Sequence, residues 1–216
     1  MLTLFDKLII LSLHDEECTV LSSITKRLGL GVGGAILAEL ALLGKVRMGS
    51  SRKLEVIDSG EIGDKVLDKA LNRFQGFKQP RKVLYCIELL SDEFGKHLKK
   101  LVGRLVLEGV LIQGEDGLTW VMPYADSQNP NASAKYLIKS HLRELVLTRG
   151  EPELADLALL DLAKASKLLS LIFTKDERKT AERWIYSSVM SKALNDPVAQ
   201  ALQEIDVSVE SLKGKS

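Results

Sequence analysis

The stretch GLGVGGAILAELALLGKV, residues 29–46, decides how the chain folds, because its glycines at 29, 31 and 34 have the G-x-G-x-x-G spacing of a dinucleotide-binding turn. Such a turn follows a buried strand and opens a helix within a parallel βαβ unit. Here Thr25-Lys26-Arg27 precedes the glycines and no series of buried parallel strands occurs elsewhere, although Glu55 lies at a suitable distance downstream. Close helix packing accounts for the glycines better: Gly34, Ala38 and Ala41 lie about one turn apart and form a stripe of small residues that admits a neighbouring helix. A third reading takes the glycines as a turn between two helices, Thr19 to Leu28 and Ala35 to Leu43. The N–H groups of Gly31, Gly33 and Gly34 then hold an anion at a helix start, with Lys26 and Arg27 beside them.

Outward from this stretch the periodicity is helical. Leu2, Phe5, Leu8, Ile9 and Leu13 share one face of a first helix. Asp64 to Phe74, Pro80 to about Leu90, and Phe94 to Glu108 read as further amphipathic helices, followed by Ala134 to Thr148, Leu154 to Phe173, Lys175 to Leu194 and Pro197 to Leu212. Two short hairpins interrupt them, Lys45 to Met48 with Lys53 to Ile57, and Val110 to Gln113 with Leu118 to Met122. The expected fold is mainly all-α: a single-domain helical bundle over residues 1–216, surrounded by amphipathic helices, with two β-hairpins and a polar loop near 126–133. LAELALLGKV from Leu37 and VGRLVLEGVL from Val102 echo one another, each a helix ended by glycine ahead of a hairpin.

Composition narrows the function. With 45% hydrophobic and 27% charged residues and five prolines, the chain can bury a core and is not a disordered tail. A net charge of +1 leaves polyanion binding to local clusters. Met1 to Leu13 lacks the basic start and cleavage site of a signal peptide, and two cysteines, Cys18 and Cys86, make no disulfide framework, so the expected compartment is the cytoplasm. His14, His97 and His141 lack metal-ligand spacing and no serine or cysteine has a nucleophile motif, so neither catalytic residue, metal nor cofactor is assigned.

The densest basic cluster is Lys96, His97, Lys99, Lys100 and Arg104, interleaved with Leu98, Leu101, Val102 and Leu105. Just beyond it the second hairpin carries GLTWVMP, which puts Leu118, Trp120 and Met122 on one strand face and Val121 on the other. Cations next to an apolar hairpin are how a peripheral protein meets anionic lipid headgroups.

Taken in order, DKLIILSLHD, GGAILAELALLGKV, GDKVLDKAL, RLVLEGVL and LALLDLAKASKLL resemble the folded core of the Golgi phosphoprotein 3 family. The resemblance implies a helical domain without enzyme activity. It also implies peripheral membrane association, at the Golgi in eukaryotes, with binding of phosphatidylinositol 4-phosphate and of the cytosolic tails of membrane proteins. The family's headgroup pocket combines a tryptophan before the glycine turn, an arginine in it, and two arginines on the helix before the apolar hairpin. Those positions fall here at Ser23 or Ile24, at Gly33, and near Gly95 and Leu98, while Lys96, Lys99 and Lys100 keep the charge positive. By the same resemblance the hairpin Val110 to Met122 serves oligomerisation and membrane insertion.

Two readings compete with a lipid-binding adaptor. A winged-helix DNA binder would use Val32 to Leu43 as recognition helix and Arg47, Arg52 and Lys53 as wing, although that helix carries Glu39 and no base-reading side chain. A homo-oligomeric protein-interaction module would use the apolar hairpin and the later helices.

Overall fold

Thr25 to Leu42 form one uninterrupted helix, α2, running straight through the glycines after a first helix α1, Leu4–Ser12. The structure is a computed structural model describing residues 2–13, 25–49, 52–113, 120–121, 133–194 and 196–213; at 25–26, 112–113, 120–121, 197 and 213 it describes backbone alone. The expected helix over Thr19 to Leu28 and the expected glycine turn are thus corrected to one helix, the portion 19–24 lying outside the described residues.

The glycines are tolerated because every face of α2 is covered. Leu28, Val32, Ala35, Ile36, Leu37, Ala38 and Leu40 are all fully buried, a pattern that suits a helix at the centre of a bundle rather than at its surface. Around it pack α1, α4 (Val83–Glu93), α7 (Leu154–Ala165) and α10 (Pro197–Lys213). Each glycine meets a different neighbour. A Cβ on Gly33 would lie 2.8 Å from the Ile87 carbonyl oxygen and 3.0 Å from the Ser91 nitrogen of α4. One on Gly34 would lie 2.9 Å from Leu162 of α7 and 3.0 Å from Val209 of α10, and one on Gly31 would overlap Ser166. Close packing is therefore what the small residues serve.

The remaining elements follow the sequence pattern with local shifts. Strands β1 (Val46–Met48) and β2 (Leu54–Val56) pair antiparallel, Val46 opposite Val56. The N–H of Leu54 donates to the Arg81 carbonyl, 2.8 Å, so the approach to α4 is extended and that helix starts at Val83 rather than Pro80. Between them runs α3, Lys65–Gln75, whose first-turn N–H groups at Val66 and Leu67 are capped by Asp64. A 3₁₀ turn, Gly95–His97, leads into α5, Leu98–Leu107, and then β3 (Ile112–Gln113) pairs with β4 (Trp120–Val121). The helix α6, Ala134–Thr148, matches its sequence pattern. The expected helix Leu154 to Phe173 breaks into α7 and a short α8, Leu169–Ile172, where Lys167 takes a left-handed φ of 62°. It is followed by α9, Lys175–Ala193.

The sequence echo is a structural repeat. After α2, Gly44 has φ 68°, its N–H bonds the Ala41 carbonyl and the next N–H, of Lys45, bonds that of Leu40. After α5, Gly109 has φ 71°, its N–H bonds Val106 and the Val110 N–H bonds Leu105. Both are left-handed glycine terminations that close the last carbonyls and launch a hairpin.

Where α7 meets α10, Asp161 and Asp206 flank Lys164, whose ammonium reaches both. Burial pushes the Asp206 carboxyl up to about 7, reinforced by the neighbouring Asp161 charge and opposed by Lys164. A raised carboxylate pKa stabilises the fold fully below the unfolded value, 3.8, and that contribution is lost as pH rises through the folded one. Between about pH 4 and pH 7, Asp206→Asn should therefore remove a falling component of the urea midpoint, making the variant relatively more stable above pH 7.

Glycine positions offer a second check. A Cβ on Gly95 would lie 2.5–2.8 Å from Gly29 backbone atoms, whereas one on Gly103 in α5 meets nothing within 4 Å. Gly95→Ala should lower the urea midpoint, overpacking costing about 1–3 kcal/mol. Gly103→Ala should raise it through a helix-propensity gain of about 1 kcal/mol, with the denaturant slope unchanged in both.

Candidate cationic site on α3 and α5

Helix α5 and the turn before it have two faces with different tasks. Gly95, Leu98 and Val102 are buried, Gly95 against Gly29 of α2. Phe94, His97, Leu101 and Arg104 face α3 instead, across an open groove of about 720 Å³. Val66, Leu89, Phe94 and Leu101 give it apolar surface, and on its lining Lys65, Lys69, Arg73 and Lys100 outnumber the carboxylates of Asp92 and Glu93.

The charges are not equivalent. Glu93 holds Lys69 at 2.9 Å and Arg73 at 3.0 Å; burial works to raise its carboxyl, but these two cations outweigh it and leave it below the ordinary value. Lys96 is paired with Asp92 at 2.7 Å, both side chains exposed, a contact worth little in water. Lys65, Lys99 and Lys100 are exposed and have no carboxylate partner among the described residues. These three cations are free to meet an external anion.

Arg104 is not. Its guanidinium is ion-paired with Asp6 of α1, reaches Asp64 at 2.8 Å, and lies 5.0 Å from the Phe5 ring centroid. Asp6 is 1% exposed, so the cation neutralises a carboxylate inside the core while Asp64 caps α3. The sequence reading placed Arg104 with the lysines as a headgroup ligand; it joins α1, α3 and α5 instead. Glu39 has a related task, accepting the Leu4 N–H at 2.6 Å at the start of α1. Burial raises the Glu39 carboxyl and this backbone bond opposes the rise.

The other sequence candidates separate. Gly31, Gly33 and Gly34 are buried inside α2, where their N–H groups serve the helix ladder, so they offer no anion cradle. Lys26 and Arg27 lie in the first turn of α2; Arg27 is half-buried, and the Lys26 side chain lies outside the described residues. Trp120 and Val121 form β4, with side chains not described, and Leu118 and Met122 fall outside the described residues, as do Ser23 and Ile24. Leu98 is 7% exposed. A side chain at Gly33 or Gly95 would strike helix backbone, so the pocket arginines of the resemblance have neither identity nor room here.

Among the described residues no group of three or more His, Cys, Asp or Glu could hold a metal, and no helix is long and apolar enough to cross a membrane. Burial pushes the Cys86 thiol up to about 12, which removes its thiolate at neutral pH. The helix proposed for base reading, Val32 to Leu43, is almost wholly buried, and the wing arginines are paired, Arg47 with Glu55 and Arg52 with Glu204. It cannot enter a DNA groove.

The sequence profile of the family described as Golgi phosphoprotein 3 (GPP34) matches residues 4–205. The chain belongs to the Golgi phosphoprotein 3 family. Vacuolar protein sorting-associated protein 74 of Eremothecium gossypii is 32% identical over 108 residues, which are 45% of this chain and 32% of that protein. The match thus spans about a third of the relative's length. Within the Golgi phosphoprotein 3 fold seen here, Asp6, Asp64 and Arg104 come from three of the five segments that carry the resemblance and meet in one ion-pair cluster.

Arg104→Ala should lower stability by about 3 kcal/mol, because removing one partner leaves Asp6 buried and unpaired. Asp6→Asn in the same background should recover part of that loss in urea unfolding.

Proposed function

We propose that this chain is a non-catalytic peripheral membrane adaptor that binds anionic lipid headgroups at the groove between α3 and α5. The observation that carries the reading is the pair of exposed ammonium groups at Lys65 and Lys100, without a carboxylate partner among the described residues, beside the apolar surface of Val66, Phe94 and Leu101, with Lys99 exposed next to Lys100 outside the groove lining. Lys96 adds charge through a pair that salt weakens. Lysines near an anionic leaflet contribute about 1 kcal/mol each, without the forked phosphate grip of arginine.

Family membership and the printed name of the relative, a vacuolar protein sorting-associated protein, support a place in membrane trafficking, on the Golgi if the cell has one. Partners of the adaptor would be anionic lipids on one side and cytosolic tails of membrane proteins on another. The hairpin β3–β4, which follows α5 directly, is the proposed point of entry into the interface or of self-association. With Gly33, Gly95 and Leu98 at the pocket positions of the resemblance, recognition rests on charge density more than on one phosphoinositide.

Vesicle cosedimentation tests this. Replacing Lys96, Lys99 and Lys100 by Glu should weaken binding to phosphatidylserine-rich vesicles by roughly 100-fold, three lysines at about 1 kcal/mol each. Phosphatidylinositol 4-phosphate at matched surface charge should bind the unmodified protein no better than phosphatidylserine. Equal pelleting on neutral vesicles, indifferent to the three substitutions, would defeat the proposal.

A further inference from the structure

The seam between α6 and α9 carries arginines in two different states. Arg143 of α6 makes a forked pair with Glu177 at the start of α9, both N–H donors 2.6 Å from the carboxylate oxygens. Farther along the same seam lies a cleft of about 530 Å³ lined by Arg149, Thr180, Arg183, Trp184 and Ser187. No carboxylate of a described residue lines it. Arg47, Arg52, Arg73, Arg104 and Arg143 all have acidic partners, whereas Arg149 and Arg183, like Arg27, Arg81 and Arg178, have none among the described residues.

The cleft is set by backbone geometry on both sides. Residues 180, 183, 184 and 187 have the i, i+3, i+4, i+7 spacing of a single helix face. Arg149 ends α6 with a left-handed φ of 56°, and its N–H is bonded to the Leu145 and Val146 carbonyls. Those last-turn carbonyls are thereby occupied. The Arg183 Nε donates to the Lys179 carbonyl at 3.3 Å, which leaves both terminal nitrogens free. The Thr180 hydroxyl has no partner among the described residues, and the Ser187 hydroxyl donates to the Trp184 carbonyl at 3.0 Å.

We propose that this cleft binds a phosphate monoester, with Arg149 and Arg183 gripping the phosphoryl oxygens and Trp184 lying against the organic group. Two guanidinium forks and a free hydroxyl supply more donors than the two oxygens of a carboxylate use. A phosphate monoester presents three acceptor oxygens and close to two negative charges at neutral pH. The half-buried Trp184 indole adds an apolar surface and one N–H donor. The site is separate from the lysines of α5, because α9 packs on α6, α7, α8 and α10 while α5 packs on α1 and the turn before it.

Trp184 reports on its own site once Trp120, the second tryptophan of the chain, is replaced by Phe. Glycerol 3-phosphate in solution, and phosphatidic acid in phosphatidylcholine vesicles, should each be titrated against chloride at equal ionic strength. A saturable change in Trp184 emission is expected, weakened roughly tenfold or more by Arg183→Gln and by Arg149→Gly. Glycine is chosen at 149 because it accepts the left-handed φ and preserves the end of α6.

A response to glycerol 3-phosphate assigns the site to a soluble phosphoester, and a response to vesicles alone assigns it to a lipid headgroup. The substitutions of Lys96, Lys99 and Lys100 should leave the soluble response unchanged, so that failure at α5 and failure here are distinguishable. Absence of an arginine-dependent response to both probes would overturn the assignment.

Discussion

Backbone clearance around α2 governs the arrangement of the other helices. Gly33 lets α4 approach to backbone contact, Gly34 admits side chains of α7 and α10, and Gly29 meets Gly95 at the entry to α5. The last contact fixes the rotation of α5. With Gly95, Leu98 and Val102 turned into the bundle, the intervening residues must face α3 or solvent, which is why Lys96, Lys99 and Lys100 are outside. A feature read from three glycines thus determines where a charged surface lies some 60 residues downstream.

Within the basic cluster at α5, charge is sorted by side-chain type. The guanidinium of Arg104 is fixed between carboxylates of two other elements, where a planar fork satisfies several acceptors at once. Ammonium groups on long flexible stems occupy the rim of the groove, where hydration is retained until an anion arrives. The same division explains why a basic cluster in the sequence does not translate whole into a binding surface. One of its five members, Arg104, belongs to the architecture.

The helical character, both hairpins, the span of α6 and the purpose of the small residues were legible in periodicity and punctuation. Four features were not. Glycines 29 to 34 have low intrinsic helix propensity and read locally as a break, but burial on all sides overrides that preference. The break at Ser166 to Leu168 has neither glycine nor proline to announce it; Lys167 simply adopts the left-handed conformation. Arg104 lies one turn beyond Lys100 and looked equivalent to it. The available signal was Asp6, a carboxylate one turn ahead of Ile9 and Ile10 on the apolar first helix, which a buried position obliges to find a cation. The α6–α9 cleft left no motif at all, since Arg149 joins Arg183 only through tertiary packing.

The contact of Gly34 with Ile205 and Val209 has a consequence for biosynthesis. An isolated segment holding four glycines in one helical run would spend little time helical, so α2 depends on its neighbours to hold its shape. One wall of its surroundings comes from residues about 170 positions later in the chain, so a nascent polypeptide halted before Val209 would carry its central rod only partly enclosed. Ribosome-bound intermediates of this protein would therefore expose a greasy, glycine-lined furrow, a natural target for chaperones during translation.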